Sequence, residues 1–99
     1  MRHEFHPEAV WEFQEAVQFF QQRGRKLGQR FAWEIRSTIA KIIPNPDRWC
    51  VVEQDVRRCL VRVFPYAVLY VIEADYILIV AIAHGKRRPG YWRNRLTTQ

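Results

Sequence analysis

Chemistry-bearing side chains crowd the end of the chain: His84, Lys86, Arg87, Arg88, Tyr91, Trp92, Arg93 and Arg95. His84 supplies the imidazole of this set. With an ordinary pKa of about 6.5 it can take up or release a proton near neutrality. The plainer role, capping the end of a strand or hydrogen-bonding to a loop carbonyl, ranks ahead, because geometry decides such roles before pKa does. The cations offer attraction to a phosphate or a carboxylate. Residues 84–99 carry five of them and no acid, whereas residues 1–83 hold eleven lysines and arginines against ten acids, so nearly all of the net charge of +6 sits in the tail. A nearly neutral body with one basic end suits an anionic partner for that end. A solvated tail that only aids solubility is the bland alternative. It ranks second because Tyr91 and Trp92 are adjacent large aromatics, which favour burial or stacking over water.

Other chemistry is thinly represented. His3 and His6 have no further ligands clustered nearby, which argues against a metal site. The sequence holds no glycine-rich phosphate loop, no GxSxG and no zinc-finger spacing, so no cofactor is expected. Cys50 and Cys59 form no CxxC motif and are expected as reduced thiols. No apolar run reaches the roughly 18 residues of a membrane span, and the N-terminus lacks a signal-peptide pattern. A cytoplasmic chain with no membrane partner is therefore expected. Ninety-nine residues, 48% of them hydrophobic, suit one domain over 1–99 with a modest core.

The elements that must position the tail come next. Arg58–Phe64, Ala67–Glu73 and Tyr76–Ala83 read as a three-stranded antiparallel meander with turns at Pro65-Tyr66 and Ala74-Asp75. The last two strands are apolar on both faces. Ala67, Leu69 and Val71 oppose Val68, Tyr70 and Ile72, while Tyr76, Leu78, Val80 and Ile82 oppose Ile77, Ile79, Ala81 and Ala83. Such strands need cover on both sides. The helices suffice for about one face, so a partner or the tail itself must cover part of the other. Tyr70, Ile72, Ile77 and Ile79 are the residues expected to lack cover when the chain is alone.

Upstream, Arg2–Phe5 reads as a short edge strand. A helix is expected over Glu8–Gln22, with Pro7 at its first position and Glu8 in its first turn. Val10, Phe13, Val17 and Phe20, with Ala9 and Ala16, form its apolar stripe, and Glu12, Gln14, Glu15, Gln18 and Gln21 take the opposite side. A second helix is expected over Lys26–Ile42, with Leu27, Phe31, Ile35, Ile39 and Ile42 on one face and Pro44 as its stop. The link Gly24-Arg25 is short enough to force an antiparallel hairpin. Trp11, Phe19 and Trp33 fall beside the stripes, suited to the inter-helix seam or to a partner surface. Trp49, Cys50 and Val51 are expected to dock the proline-rich connection on the core, before a polar turn at Glu53-Gln54-Asp55. The fold class is thus α+β, an N-terminal helix hairpin on one face of a small, mostly antiparallel sheet in the order β-α-α-β-β-β.

Several short motifs, in this order, carry a resemblance that spans nearly the whole chain. They are Pro7-Glu8-Ala9, Leu27-Gly28-x-x-Phe31, the isoleucine and proline closing the second helix, Phe64-Pro65-Tyr66, Ala67-Val68-x-Tyr70, Ala81-Ile82-Ala83-His84, Arg87-Arg88-Pro89 and Tyr91-Trp92. Together they resemble the RelE/ParE family of type II toxin–antitoxin toxins, also called plasmid stabilisation proteins. The resemblance implies a small bacterial growth inhibitor held inactive by a co-expressed cognate antitoxin that wraps it. RelE-like members are ribosome-dependent endoribonucleases that cut mRNA; ParE-like members act on DNA gyrase without a nuclease site. For a nuclease, the resemblance puts Arg58, Arg87 or Arg88 and Tyr91 in the catalytic places, and His84, the imidazole near them, is the further candidate for proton transfer. Leu60 and Ala67 depart from it, standing where basic residues are usual in the nuclease branch.

Three functions are therefore carried forward. The first is a gyrase inhibitor that docks through Lys86, Arg87, Arg88, Tyr91, Trp92 and Arg93 without chemistry of its own. The second is a ribosome-dependent mRNA endoribonuclease built on Arg58, His84, Arg87 and Tyr91. The third is a basic nucleic-acid-binding module in which Tyr91 or Trp92 stacks on bases. The shortage of cations at positions 60 and 67 favours the first.

Overall fold

A computed structural model describes residues 1–96 of the chain. Strand β1 (Arg2–Phe5) leads to helix α1 (Pro7–Arg23). His6 caps that helix, its Nδ1 accepting the backbone N–H of Glu8 at 3.1 Å, and Pro7 occupies a position whose missing N–H costs nothing. Helix α2 (Arg25–Ile42) follows after the single residue Gly24, as the short link requires. Gly28 lets the two helices approach closely: a Cβ built there would lie 2.9 Å from Cβ of Gln21 and 3.0 Å from its Cα. Strands β2 (Val51–Glu53), β3 (Val56–Leu60), β4 (Tyr66–Ile72) and β5 (Tyr76–His84) complete a five-stranded sheet in the order β1-β5-β4-β3-β2. All neighbours are antiparallel except β1, which lies parallel to β5 as an edge. The α+β hairpin-on-sheet architecture is the expected one.

The helix face of the sheet holds the main core. Phe31, Ile35, Ile39 and Ile42 from α2 meet Val68, Tyr70, Ile77 and Ile79, with Phe20, Phe31, Phe64 and Tyr66 forming one aromatic cluster. Tyr70, Ile77 and Ile79 are fully buried there, so the expectation that they lack cover in the isolated chain is corrected. The other face is covered by the tail. Trp92, Tyr91 and Leu96 pack on Val56, Leu69, Val71, Val80 and Ala81.

Four local readings change. The predicted strand Arg58–Phe64 ends at Leu60, because Val61 and Phe64 both turn into the helix-side core and so break the two-residue alternation. Val63 at the tip of that loop has φ of +75°, a strained value for a β-branched residue. Residues 51–53, expected to dock on the core or turn, instead form β2; Trp49 packs on the core, while Cys50 and Val51 are exposed. Trp11, Phe19 and Trp33 do not fill the seam: they are exposed at 60%, 46% and 59%. Finally, the face assignment of β5 reverses partway along. Leu69 pairs with Ala81 but Tyr70 pairs with Ile79, leaving Val80 as an extra residue. This bulge puts Ile82 on the helix face beside Ile77 and Ile79, and leaves Leu78, Val80, Ala81 and Ala83 on the tail face.

Candidate functional site

The tail is held by a residue that the periodicity placed in water. Glu12 faces inward from α1, 7% exposed, and its four hydrogen bonds all come from three residues near the far end of the chain, Ile82, Tyr91 and Arg95. Its Oε1 accepts from the backbone N–H of Ile82 at 3.0 Å and from Nη1 of Arg95 at 2.9 Å. Its Oε2 accepts from Nη2 of Arg95 at 2.8 Å and from the Tyr91 hydroxyl at 2.7 Å. Arg95 Nη1 also donates to the carbonyl of Val80 at 3.0 Å. β5 runs on past the end of β1, and at that open edge its backbone groups find side-chain partners instead of a strand. The bulge, the helix and the tail are thereby tied at one point.

Electrostatics follow from this geometry. Burial disfavours the Arg95 charge, but the hydrogen bonds and negative charge of Glu12 more than offset it and raise the guanidinium pKa. Burial, then the hydrogen bond to the Glu12 carboxylate, pushes the Tyr91 phenol well above its ordinary range. Arg87 lies with its guanidinium 3.8 Å from the Tyr91 ring centroid and 4.0 Å from Glu12. Farther along, Gly90 takes φ of +76°, and Arg93 folds back from this turn to pair with Glu53 of β2, Nη2 to Oε1 at 2.9 Å. That pairing holds the Glu53 carboxyl below its usual pKa.

Between this tail and the sheet lies a groove of about 480 Å³. Its lining includes Arg58 and Leu60 of β3, Ala67 and Leu69 of β4, Ala83 and His84 of β5, then Arg87, Arg88, Tyr91 and Trp92. Residues far apart in sequence, Arg58 on one side and Arg87 with Tyr91 on the other, thus share one surface. His84 is fixed by its ring edge against Tyr66, centroids 5.0 Å apart, and by its Nδ1, which accepts the Lys86 backbone N–H at 2.9 Å. It caps the turn after β5, donating nothing to a loop carbonyl from that nitrogen. Lys86 is exposed outside the groove lining, and Arg93 is engaged with Glu53 at the rim. Trp92, expected on a partner surface, is 5% exposed and belongs to the tail-side core. Arg58 and Arg88 are exposed cations, and Arg87 is half-exposed. The groove is also flanked by exposed apolar surface, with Leu60 at 66% and Val52 at 40%.

What this arrangement can do is bind a partial negative charge beside an apolar floor. As a proton-transfer site it is limited, because the Tyr91 hydroxyl is spent on Glu12 and one nitrogen of His84 is spent on the backbone. Glu12 and Arg95, the groups that organise the tail, are missed by sequence reasoning. The available signal was an acid lying between Ala9, Phe13 and Ala16 on the helix, matched by a tail with five cations and no acid of its own.

No helix among the described residues is long and apolar enough to cross a membrane. No curated protein sequence matches the chain. Among solved structures, a chain of a chromosomal ParDE TA system from P. aeruginosa shares the fold at a TM-score of 0.75 and 11% identity, covering 85% of this chain and 95% of its own. A family model, the ParE toxin of the type II toxin–antitoxin system parDE, matches residues 4–89. The chain belongs to the ParE toxin family of type II toxin–antitoxin systems.

Proposed function

We propose that this chain is neutralised by a cognate antitoxin and, when free, inhibits DNA gyrase by docking its basic groove on the enzyme, without chemistry of its own. The observation that carries the reading is the makeup of the groove. Arg58, Arg87 and Arg88 surround a floor that includes Leu60, Ala67 and Ala83, and the nearby phenol of Tyr91 is committed to Glu12. A surface of this kind gives long-range attraction and a desolvated contact. It offers little for proton transfer. Leu60 and Ala67, where the nuclease branch of the resembled family has cations, both line the groove.

Ribosome-dependent mRNA cleavage is the second reading, favoured by one observation: Arg58, His84 and Arg87 line the same groove. A stacking nucleic-acid module is the weakest, since Trp92 is buried within its own chain. Controlled induction in a bacterial host distinguishes them. The docking reading expects stalled replication and DNA damage before any change in mRNA integrity. Prompt mRNA cleavage with intact DNA replication would replace it with the nuclease reading. Co-expression of the antitoxin should restore growth in either case.

A further inference from the structure

The floor of the groove includes a pair of small residues. Ala67 and Ala83 are direct cross-strand partners between β4 and β5, and Leu60 is the partner of Ala67 on β3. Side chains opposite one another in a sheet stand about 5 Å apart on one face. The row Leu60–Ala67–Ala83 therefore presents one large side chain followed by two methyl groups. On the next row, Leu69 and Ala81 are already covered by Trp92 and its neighbours in the tail. Ala67, 7% exposed, and Ala83 belong to that same tail-side cluster, and both still line the groove.

Charge around this socket is one-sided. Arg58, Arg87 and Arg88 line it, and the acid on its lining, Glu53, is already engaged by Arg93. Cationic walls over an apolar floor match a partner that brings carboxylates and a hydrophobic side chain together. A phosphate backbone matches only the walls.

We propose that the alanine pair is an anchor socket: it seats one apolar side chain of an acidic segment of the target protein, while Arg58, Arg87 and Arg88 hold the flanking carboxylates. This rests on the docking reading above and specifies its contact. Position 67 sets the specificity. An alanine there opens the socket, whereas a larger side chain fills it from within.

The test uses the full chain and three fluorescein-labelled probes. One is a twelve-residue peptide rich in aspartate and glutamate with a central phenylalanine, the second the same peptide with alanine at the centre, the third a twelve-nucleotide single-stranded RNA. Fluorescence anisotropy should show the phenylalanine peptide binding at least about tenfold more tightly than the alanine peptide, the scale of burying one large apolar side chain. Ala67→Leu should erase that preference, and Ala67→Ser, which leaves the socket open, should keep it. Ala83→Val is the second blocking variant, should Ala67→Leu lower the melting temperature. Arg87→Ala with Arg88→Ala should weaken both peptides and steepen neither. Equal affinity for the two peptides, an unchanged preference in both blocking variants, or tighter binding of RNA than of either peptide would overturn the socket. Gyrase supercoiling is measured in parallel with the wild type. Inhibition without anchor dependence rejects the socket and leaves the docking reading standing. Anchor-dependent peptide binding without inhibition keeps the socket's peptide chemistry and rejects gyrase as the target.

Discussion

Glu12→Ala is the substitution with the largest expected effect on the fold. It removes both oxygens that meet the Arg95 guanidinium, the Tyr91 hydroxyl and the Ile82 N–H. The Arg95 side chain is 5% exposed and would be left as a buried charge with only the Val80 carbonyl and the exposed Glu8 carboxylate, 3.5 Å from Nη2, as partners. Breaking a buried pair by deleting one partner costs about 3–5 kcal/mol. In a domain of this size each kcal/mol lowers Tm by roughly 4–8 °C, so a fall of at least about 12 °C is expected in thermal unfolding followed by circular dichroism. The cause is separable by a double-mutant cycle. Glu12→Leu combined with Arg95→Met removes both charges and should be more stable than the sum of the single variants predicts, by about 2 kcal/mol or more. It should still fall short of the wild type, because the Ile82 N–H and Val80 carbonyl lose their partners, at about 1–3 kcal/mol each where buried. A loss below about 1 kcal/mol for Glu12→Ala, or an additive cycle, would refute the view that this pair ties the tail to the fold.

Gly28→Ala should destabilise by about 1–2 kcal/mol in denaturant unfolding, because crowding against the Gln21 backbone outweighs the helix propensity that alanine gains. Alkaline pH should also weaken the fold. Burial raises the Tyr70 phenol to about 12 and raises Tyr91 as well, so the folded state keeps protons that the unfolded state loses. Stability from these groups is complete below the unfolded pKa of about 10 and declines as pH rises beyond it. Melting temperatures between pH 8 and pH 11.5 should show this decline, and Tyr91→Phe should make it shallower. Arg87→Ala with Arg88→Ala should shift Tm by only a few degrees, since exposed charges contribute little and one stacked guanidinium adds about 0.5–1 kcal/mol. The same pair of changes should abolish growth inhibition by the induced chain.

Much of the fold was legible because its signals are local and periodic. Pro7, Gly24 and Pro44 bound the helices, and the runs Tyr66–Ile72 and Tyr76–His84 are too apolar for anything but buried strands. What failed depends on partners far along the chain. Glu12 reads as solvent-facing by helical spacing, and only Arg95 and Tyr91, arriving from the other end, make its burial favourable. The extra residue at Val80 leaves no mark in an apolar run, because either phase of alternation looks acceptable. Three-residue β2 is too short to show alternation. For the site, the residues meeting in the groove were already marked by charge and aromaticity. That Trp92 is core, and that an alanine pair meets in the groove floor, required the sheet register.

The most direct measurement of the docking reading is DNA supercoiling by purified gyrase, run beside mRNA cleavage on programmed ribosomes, with wild type, His84→Gln, Tyr91→Phe and Arg87→Ala/Arg88→Ala proteins confirmed as folded. Docking predicts that the wild type inhibits supercoiling and leaves mRNA whole. His84→Gln and Tyr91→Phe should inhibit nearly as well, and the double arginine variant should not. A general acid or base typically contributes about 10²–10⁴-fold in rate, so its loss from a nuclease would be unmistakable. Ribosome-dependent cleavage by the wild type that disappears in His84→Gln or Tyr91→Phe, with supercoiling unaffected throughout, would contradict docking and establish the groove as a catalytic site.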